Sequence, residues 1–142
     1  MFGHKDWYSF QTSNWGTKWD VGGDDGLIQK LDDNTLEASF DSAWAPPCVA
    51  YERLIEMGFY IKAHYYEPGM GFVGIWEGDM EDGFFDDYYE ISGETSKTIR
   101  DTVGGEIDDY WNLSESFAEY EDSEKDDVQL WCEDGVEKLE QK

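Results

Sequence analysis

The excess of acidic residues is the feature that most restricts what this chain can form. Its 142 residues include 34 Asp and Glu against 10 Lys and Arg, which gives a formal net charge of −24. A net charge of magnitude about 2–8 keeps a small domain in solution, and charge beyond that destabilises the compact state by self-repulsion. The surplus indicates either a surface that occupies a site made for a polyanion or a purely solvating role, as in halophilic proteins and acidic tails.

The acidic residues are distributed unevenly along the chain. Residues 1–60 hold 10 acids and 4 bases, whereas residues 61–142 hold 24 acids and 6 bases. Spread evenly over a folded surface of this size, the acids would reach only about half the charge density of duplex DNA. Imitation of a nucleic acid therefore requires the acids to share one face.

Composition excludes several classes of protein. Aromatic residues make up 17% of the chain and include 7 Trp, too much apolar area for a disordered chain to leave in water. Its length fits one domain, and it shows neither a membrane-spanning stretch nor a signal peptide, so a cytoplasmic protein is expected. Cys48 and Cys132 lie too far apart for a zinc or iron–sulfur site, so no metal or cofactor is predicted. The absence of a basic stripe disfavours direct binding to nucleic acid or to anionic membranes.

Two-residue alternation predicts an antiparallel sheet in the first two thirds of the chain. Two short apolar stretches on either side of Asp32-Asp33-Asn34 indicate a hairpin, and 69–71 is a glycine-rich turn. The predicted strands are 27–31, 36–40, 59–66, 72–77 and 84–91.

Helical spacing of apolar residues predicts four helices. The first ends at Gly16, and the second spans about 47–57 because Pro46 and Pro47 suit a first helical turn. The third and fourth are predicted over 106–119 and 127–139 on either side of an acidic linker, 121–127. Their apolar stripes, which we expect to pack on the sheet rather than to form a partner-binding groove, run through Trp111, Phe117, Trp131 and Leu139.

The sequence therefore predicts an α+β fold with helices on one face of an antiparallel sheet. We expect residues 1–91 to form the sheet domain and residues 92–142 to form an acidic helical extension packed on it, the two making a single folding unit.

Motifs for phosphate binding, metal binding and catalysis have simpler explanations. Residues 69–74 match G-x-G-x-x-G but lead into a predicted strand instead of a helix, which favours a hairpin turn. The acids of 79–87 depart from a calcium loop, since Gly78 and Met80 stand where oxygen ligands belong. His4 and His64 are isolated, and no carboxylate pair stands out, so the chain is not expected to be an enzyme.

Three ordered motifs resemble those of a known family. They are Asn14-Trp15-Gly16-Thr17-Lys18-Trp19-Asp20, Ser42-Ala43-Trp44-Ala45-Pro46-Pro47, and Tyr66-Glu67-Pro68-Gly69-Met70 with Phe72 and Gly74. They are similar to motifs of the YubB-type "ferredoxin-like" domain of phages and conjugative plasmids, over about residues 6–90. Members of that family usually carry an N-terminal segment before this region, and residues 92–142 lie outside the resemblance.

The resemblance implies a βαββαβ topology without an iron–sulfur cluster, and an origin on a mobile element. It implies no chemistry, because the family has no established activity. Trp15, Trp19 and Trp44 are interpreted as core aromatics, and Gly16, Gly69 and Gly71 as turn residues. A shared ligand site at Asn14, Lys18 and Glu67 is the functional alternative for the motif residues.

Together, the charge and the resemblance predict a counter-defence or host-takeover protein that mimics nucleic acid. Its partner would be a host nucleic-acid enzyme (a restriction enzyme, a CRISPR effector, a nuclease or RNA polymerase), and it would act as a monomer or homodimer in the cytoplasm of the bacterial host. The alternatives are a small-ligand or nucleotide-binding accessory domain that uses its aromatic-rich sheet, and an acidic structural protein without a target. The predicted partner-binding residues are the acids of the two densest runs: Asp79, Glu81, Asp82, Asp86, Asp87, Asp108, Asp109, Glu119, Glu121, Asp122, Glu124, Asp126 and Asp127.

Overall fold

The structure is a computed structural model that describes Gly3 and residues 6–18 and 26–125. These residues form an α+β fold with one two-stranded and one three-stranded antiparallel sheet, and helices follow the larger sheet. The elements are α1 (Trp7–Asn14), β1 (Leu27–Lys30), β2 (Leu36–Ser39), α2 (Cys48–Glu56), β3 (Ile61–Glu67), β4 (Phe72–Asp79), β5 (Gly83–Glu90), α3 (Ile99–Val103), α4 (Gly105–Trp111) and α5 (the helical residues 113–125). The predicted α+β class is confirmed, and this order of elements is compatible with a ferredoxin-like arrangement.

Local sequence explains where the first two helices begin and end. Asp6 caps α1, since its Oδ1 accepts a hydrogen bond from the Ser9 amide at 2.7 Å. Gly16 follows that helix at φ +80°, and a Cβ there would lie 2.9 Å from Val49 of α2, so this turn requires glycine. The α2 helix begins after Pro47, whose carbonyl accepts from the amides of Ala50 and Tyr51.

The β1–β2 hairpin has the predicted turn and a defined register. Leu27 pairs with Ser39 and Lys30 with Leu36, which places Ile28 opposite Ala38 and Gln29 opposite Glu37. All eight strand residues are exposed, including the apolar ones. The hairpin therefore contributes little to the core of the described residues.

The three-stranded sheet has the order β3-β4-β5, which makes β4 its central strand. Most of β4 is buried, and only Glu77 and Asp79 are partly accessible. The turn before β4 contains Gly71 at φ +71°, where a Cβ would lie 2.2 Å from Ser92 Oγ. The match to G-x-G-x-x-G is therefore a hairpin turn that leads into a strand, as predicted.

The chain divides into two compact units, and strands β4 and β5 each have residues in both of them. The first unit comprises Met1–Glu67 and Ile75–Asp87, and the second comprises Pro68–Gly74 and Tyr88–Lys142. The expected boundary at 91/92 does not coincide with this division, and folding as a single unit stays a prediction. The buried apolar side chains are Ala43, Ile55, Ile75 and Trp76 in the first unit, and Phe72, Val73, Ile91, Ile99, Val103, Ile107 and Leu113 in the second.

The predicted helix over 106–119 is wrong in one respect, because the chain breaks it at Asn112. This residue takes a left-handed φ of 51° between α4 and α5, and the core side chains of the two helices are Ile107 and Leu113. Trp111 and Phe117 are only half-buried. The predicted linker is also wrong for residues 121–125, which are helical. The predicted helix over 127–139, with Trp131 and Leu139, lies outside the described residues.

Candidate partner-binding surfaces

The turn between β4 and β5 in the first unit is shaped by one of the predicted acids. Asp79 Oδ1 accepts hydrogen bonds from the amides of Glu81 at 2.8 Å and Asp82 at 2.7 Å. Asp79 is half-buried, whereas Glu81 and Asp82 are exposed. Asp79 therefore stabilises the turn, and the turn leaves the carboxylates of Glu81 and Asp82 accessible to solvent.

The β5 strand presents two more of the predicted acids. Asp86 and Asp87 are exposed, and Asp86 accepts a hydrogen bond from the Tyr65 hydroxyl at 2.6 Å. Among the described residues, no lysine, arginine or histidine forms an ion pair with Glu81, Asp82, Asp86 or Asp87. Within the ranges that the structure describes, four carboxylates of this segment are thus not paired with a cation.

Aromatic side chains lie between these acids. Phe84 stacks on Trp76 with ring centroids 5.0 Å apart, yet Phe84 and Phe85 remain 52% and 51% exposed. The strand pattern predicted β5 but gave no sign that both of its faces would be open. We call Glu81, Asp82, Phe84, Phe85, Asp86 and Asp87 the β5 surface.

Asp108 must be removed from the predicted partner-binding residues. It is only 3% exposed and accepts hydrogen bonds from the Ser114 amide at 2.7 Å, the Ser114 hydroxyl and Arg100. Burial by itself raises the pKa of a carboxyl, but these hydrogen bonds and the Arg100 charge together lower the pKa of Asp108 below its ordinary value. Its charge is used inside the second unit, where it holds α4 against the first turn of α5.

Asp109 remains accessible but shares a cation with Asp108. Arg100 Nη1 lies 2.6 Å from Asp109 and 2.8 Å from Asp108. The hydrogen bonds to Asp109 and then to Asp108 raise the pKa of Arg100 above its ordinary value. Asp109 therefore offers a partner a carboxylate that is already partly neutralised.

Glu121 is also engaged within the second unit. Its carboxylate accepts hydrogen bonds from the Ser96 amide at 2.8 Å and the Ser96 hydroxyl at 2.9 Å. The first of these bonds is the main cause of a lowered pKa for Glu121. Glu121 thus fixes α5 to the segment before α3 and is not freely available to a partner.

Three of the four remaining acids of α5 form one exposed row. Glu115, Glu119 and Asp122 follow one another at intervals of four and three residues, which places them on the same face of a helix. Lys125 Nζ lies 3.0 Å from Asp122 Oδ1. The carboxylate of Glu124 accepts a hydrogen bond from the Tyr120 hydroxyl. Glu115 is not among the predicted partner-binding residues, although its helical spacing from Glu119 could have identified it. We call Glu115, Glu119 and Asp122 the α5 acidic face; Asp126 and Asp127 lie outside the described residues.

Asn14 and Lys18, two residues of the predicted ligand site, each contact another residue of the first unit. The Asn14 amide donates to the Phe10 carbonyl at 2.8 Å and so belongs to the end of α1, while Glu67 is the last residue of β3. Lys18 Nζ lies 5.1 Å from the centroid of the Trp44 ring, a cation–π contact that joins the first two motifs of the resemblance. Trp44 itself is 64% exposed, so the prediction that it is a core aromatic is wrong.

A reactive thiol and a metal site are two further possibilities for the described residues, which include one cysteine, Cys48. Burial is the main reason that the pKa of Cys48 rises to about 11, so its thiol stays protonated at neutral pH. No cluster of three or more His, Cys, Asp or Glu residues within the described ranges is arranged to hold a metal ion.

Comparisons with family models, with curated proteins and with solved structures found no match to the chain. In the part of the chain that the structure describes, no helix combines the length and apolar character needed to cross a membrane.

Proposed function

We propose that the chain is a phage- or plasmid-encoded acidic inhibitor that mimics nucleic acid and blocks a host nucleic-acid enzyme. The observation that carries this proposal is the β5 surface, where four carboxylates that form no ion pair with any described residue flank two half-exposed phenylalanines. Solvation alone would be served by scattered charge without exposed aromatic area. The sequence resemblance is the reason for proposing a mobile-element origin and action in the bacterial cytoplasm.

The α5 acidic face supports the same function through its spacing. A rise of about 1.5 Å per residue places its three carboxylates within about 10 Å along the helix axis. One strand of DNA carries a phosphate about every 3.4 Å of axis, so the spacing of these carboxylates is of the same order, with Asp122 partly neutralised by Lys125. Each surface is proposed as a contact in its own right.

The proposed mechanism is competition for a basic channel. The net charge of −24 accelerates encounter with a positively charged cleft, because complementary fields steer diffusion. Carboxylates of the two surfaces then occupy positions made for phosphates, and Phe84 and Phe85 are the aromatic anchors that slow dissociation. Substrate DNA or RNA and the inhibitor cannot occupy the channel together.

The test is inhibition of four purified host enzymes: a restriction endonuclease, a CRISPR effector, an exonuclease and RNA polymerase. We expect one of them to be inhibited competitively with nucleic acid, and the inhibition to weaken by about tenfold or more between 50 and 200 mM salt. Inhibition of none of the four, or inhibition that salt leaves unchanged, would contradict the proposal.

A matched pair of charge-reversal variants separates local contact from overall charge. The test variant carries Glu81→Lys, Asp82→Lys and Asp87→Lys, and the control carries Asp33→Lys, Glu37→Lys and Asp41→Lys, which are also exposed. We expect the test variant to lose inhibition with an unchanged or higher melting temperature, and the control to keep most of it. Equal loss in both variants would show that only the net charge matters.

A further inference from the structure

The β5 strand is an edge of its sheet. In the order β3-β4-β5 it has β4 on one side and no other strand of the described residues on the other. Seven of its eight residues are exposed, which is unusual for a strand with this aromatic content. An open edge is a template on which another extended chain can add as a strand.

The residue order of β5 gives both of its faces the same chemistry. Phe84 and Phe85 are adjacent, as are Asp86 and Asp87, and neighbouring side chains of a strand point to opposite faces. Phe84 and Asp86 therefore lie on one face, and Phe85 and Asp87 on the other. A strand added at this edge would meet an aromatic ring followed by a carboxylate on either side.

Charge decides what kind of chain can add there. A second copy paired through β5 would bring the Asp86 and Asp87 carboxylates of two chains together, and like charges on neighbouring strands are destabilising. Two chains of net charge −24 also repel one another at long range. Acids alone would suffice to protect the edge, whereas exposed Phe84 and Phe85 add apolar area for a partner to cover. The complementary occupant is an extended segment with two consecutive basic residues flanked by β-branched ones.

We propose that β5 is a docking strand that accepts a basic, extended segment of the partner as a fourth strand of the sheet. Main-chain hydrogen bonds along 83–87 would fix the register of that segment, and its two cations would face Asp86 and Asp87. The proposal rests on the proposed function for the identity of the partner as a nucleic-acid enzyme, but the mode of docking is tested without that enzyme.

The probe is the capped peptide Thr-Val-Lys-Lys-Val-Thr, titrated at low salt into the isotopically labelled full-length chain and followed by amide chemical shifts. The key control peptide has N-methyl groups on both valines, which removes an amide donor from each edge of the peptide and keeps its charge. We expect shifts centred on 83–87 and an affinity at least about tenfold weaker for the methylated peptide, because strand addition depends on main-chain donors. Equal affinity of the two peptides, or shifts centred elsewhere, would overturn the proposal.

Two charge variants complete the experiment. Asp86→Lys with Asp87→Lys should abolish peptide binding, whereas Asp33→Lys with Glu37→Lys on the other sheet should change the affinity by less than about twofold, because distant exposed charges are screened. Failure of the two proposals would look different. Peptide addition to β5 by a protein that inhibits no enzyme would reject the proposed function alone, and inhibition that survives the loss of peptide binding would reject strand docking alone.

Discussion

Trp44 shows how a single residue can depart from its expected role. Tryptophan in an apolar motif indicates burial, yet this side chain is exposed and its backbone has φ +65°. The Ala45 amide donates to the Ala43 carbonyl at 2.9 Å, so Trp44 is the central residue of a three-residue turn of the strained kind. A left-handed φ costs a residue with a Cβ about 1–2 kcal/mol, and nothing in the composition of the motif reveals that conformation.

Two substitutions at Trp44 test this conformation. Both remove the indole and the contact with Lys18, so their difference isolates the backbone. We expect Trp44→Gly to be more stable than Trp44→Ala by about 1 kcal/mol in urea unfolding, because glycine adopts this φ without strain. At an ordinary position the order is reversed, since glycine loses more entropy on folding. An alanine variant at least as stable as the glycine variant would contradict the strained turn.

The break between α4 and α5 shows what apolar periodicity misses at the scale of an element. The spacing of Ile107, Tyr110, Trp111 and Phe117 continues through Asn112, so it predicts one helix where there are two. One local signal was present in the sequence, because asparagine tolerates the left-handed region. The buried Asp108 then satisfies the Ser114 amide across the break.

Asp108 should therefore stabilise the second unit in a pH-dependent way. Asp108→Ala leaves the Ser114 amide and Arg100 without this acceptor and should reduce the free energy of unfolding by about 1–3 kcal/mol. Asp108→Asn keeps the shape but loses the charge. Because the pKa of Asp108 is lowered in the folded state from 3.8, the stability that its charge supplies is fully present above that value and is lost as the pH falls through the lower folded value.

Urea unfolding of the wild type and Asp108→Asn between pH 7 and pH 3 measures this effect. The gap between the two curves should be constant near neutral pH and should close as the pH falls below about 4. A gap that widens towards acid would mean that the carboxyl is stabilised in its protonated form, contrary to the hydrogen bonds from Ser114 and Arg100.

At the scale of the whole molecule, the sequence predicts the fold class and the positions of the strands better than it predicts which side chains are exposed. Alternating and helical patterns locate β1 to β5 and α2 within two residues of their observed ends, because backbone geometry imposes those periods. Which sides of an element are covered depends on the rest of the chain. Both faces of β5 are open for that reason, and Asp108 is buried although the acids around it are exposed. The sequence could therefore predict which segments carry the candidate surfaces, but not which side chains of those segments are accessible.

The net charge of the whole molecule also leads to a prediction: added salt should increase the stability of the protein and weaken its binding to a partner. At about 0.01 M salt the Debye length is about 30 Å, so the acids repel one another across the whole protein, and at about 0.15 M it falls to about 8 Å. Added salt should therefore raise the melting temperature, since repulsion in the compact state is screened. The same screening weakens attraction to a basic partner, so affinity for the inhibited enzyme should fall over that range.

Melting curves and binding curves recorded in the same series of NaCl concentrations measure both effects. The control is the variant with Asp33→Lys, Glu37→Lys and Asp41→Lys, whose smaller net charge should make its melting temperature less sensitive to salt while the β5 surface stays intact. A melting temperature that falls with salt would show that ion pairs such as Arg100–Asp108 outweigh the repulsion among the acids. Because the sign differs between the two measurements, a general effect of salt on the folded population cannot produce both results.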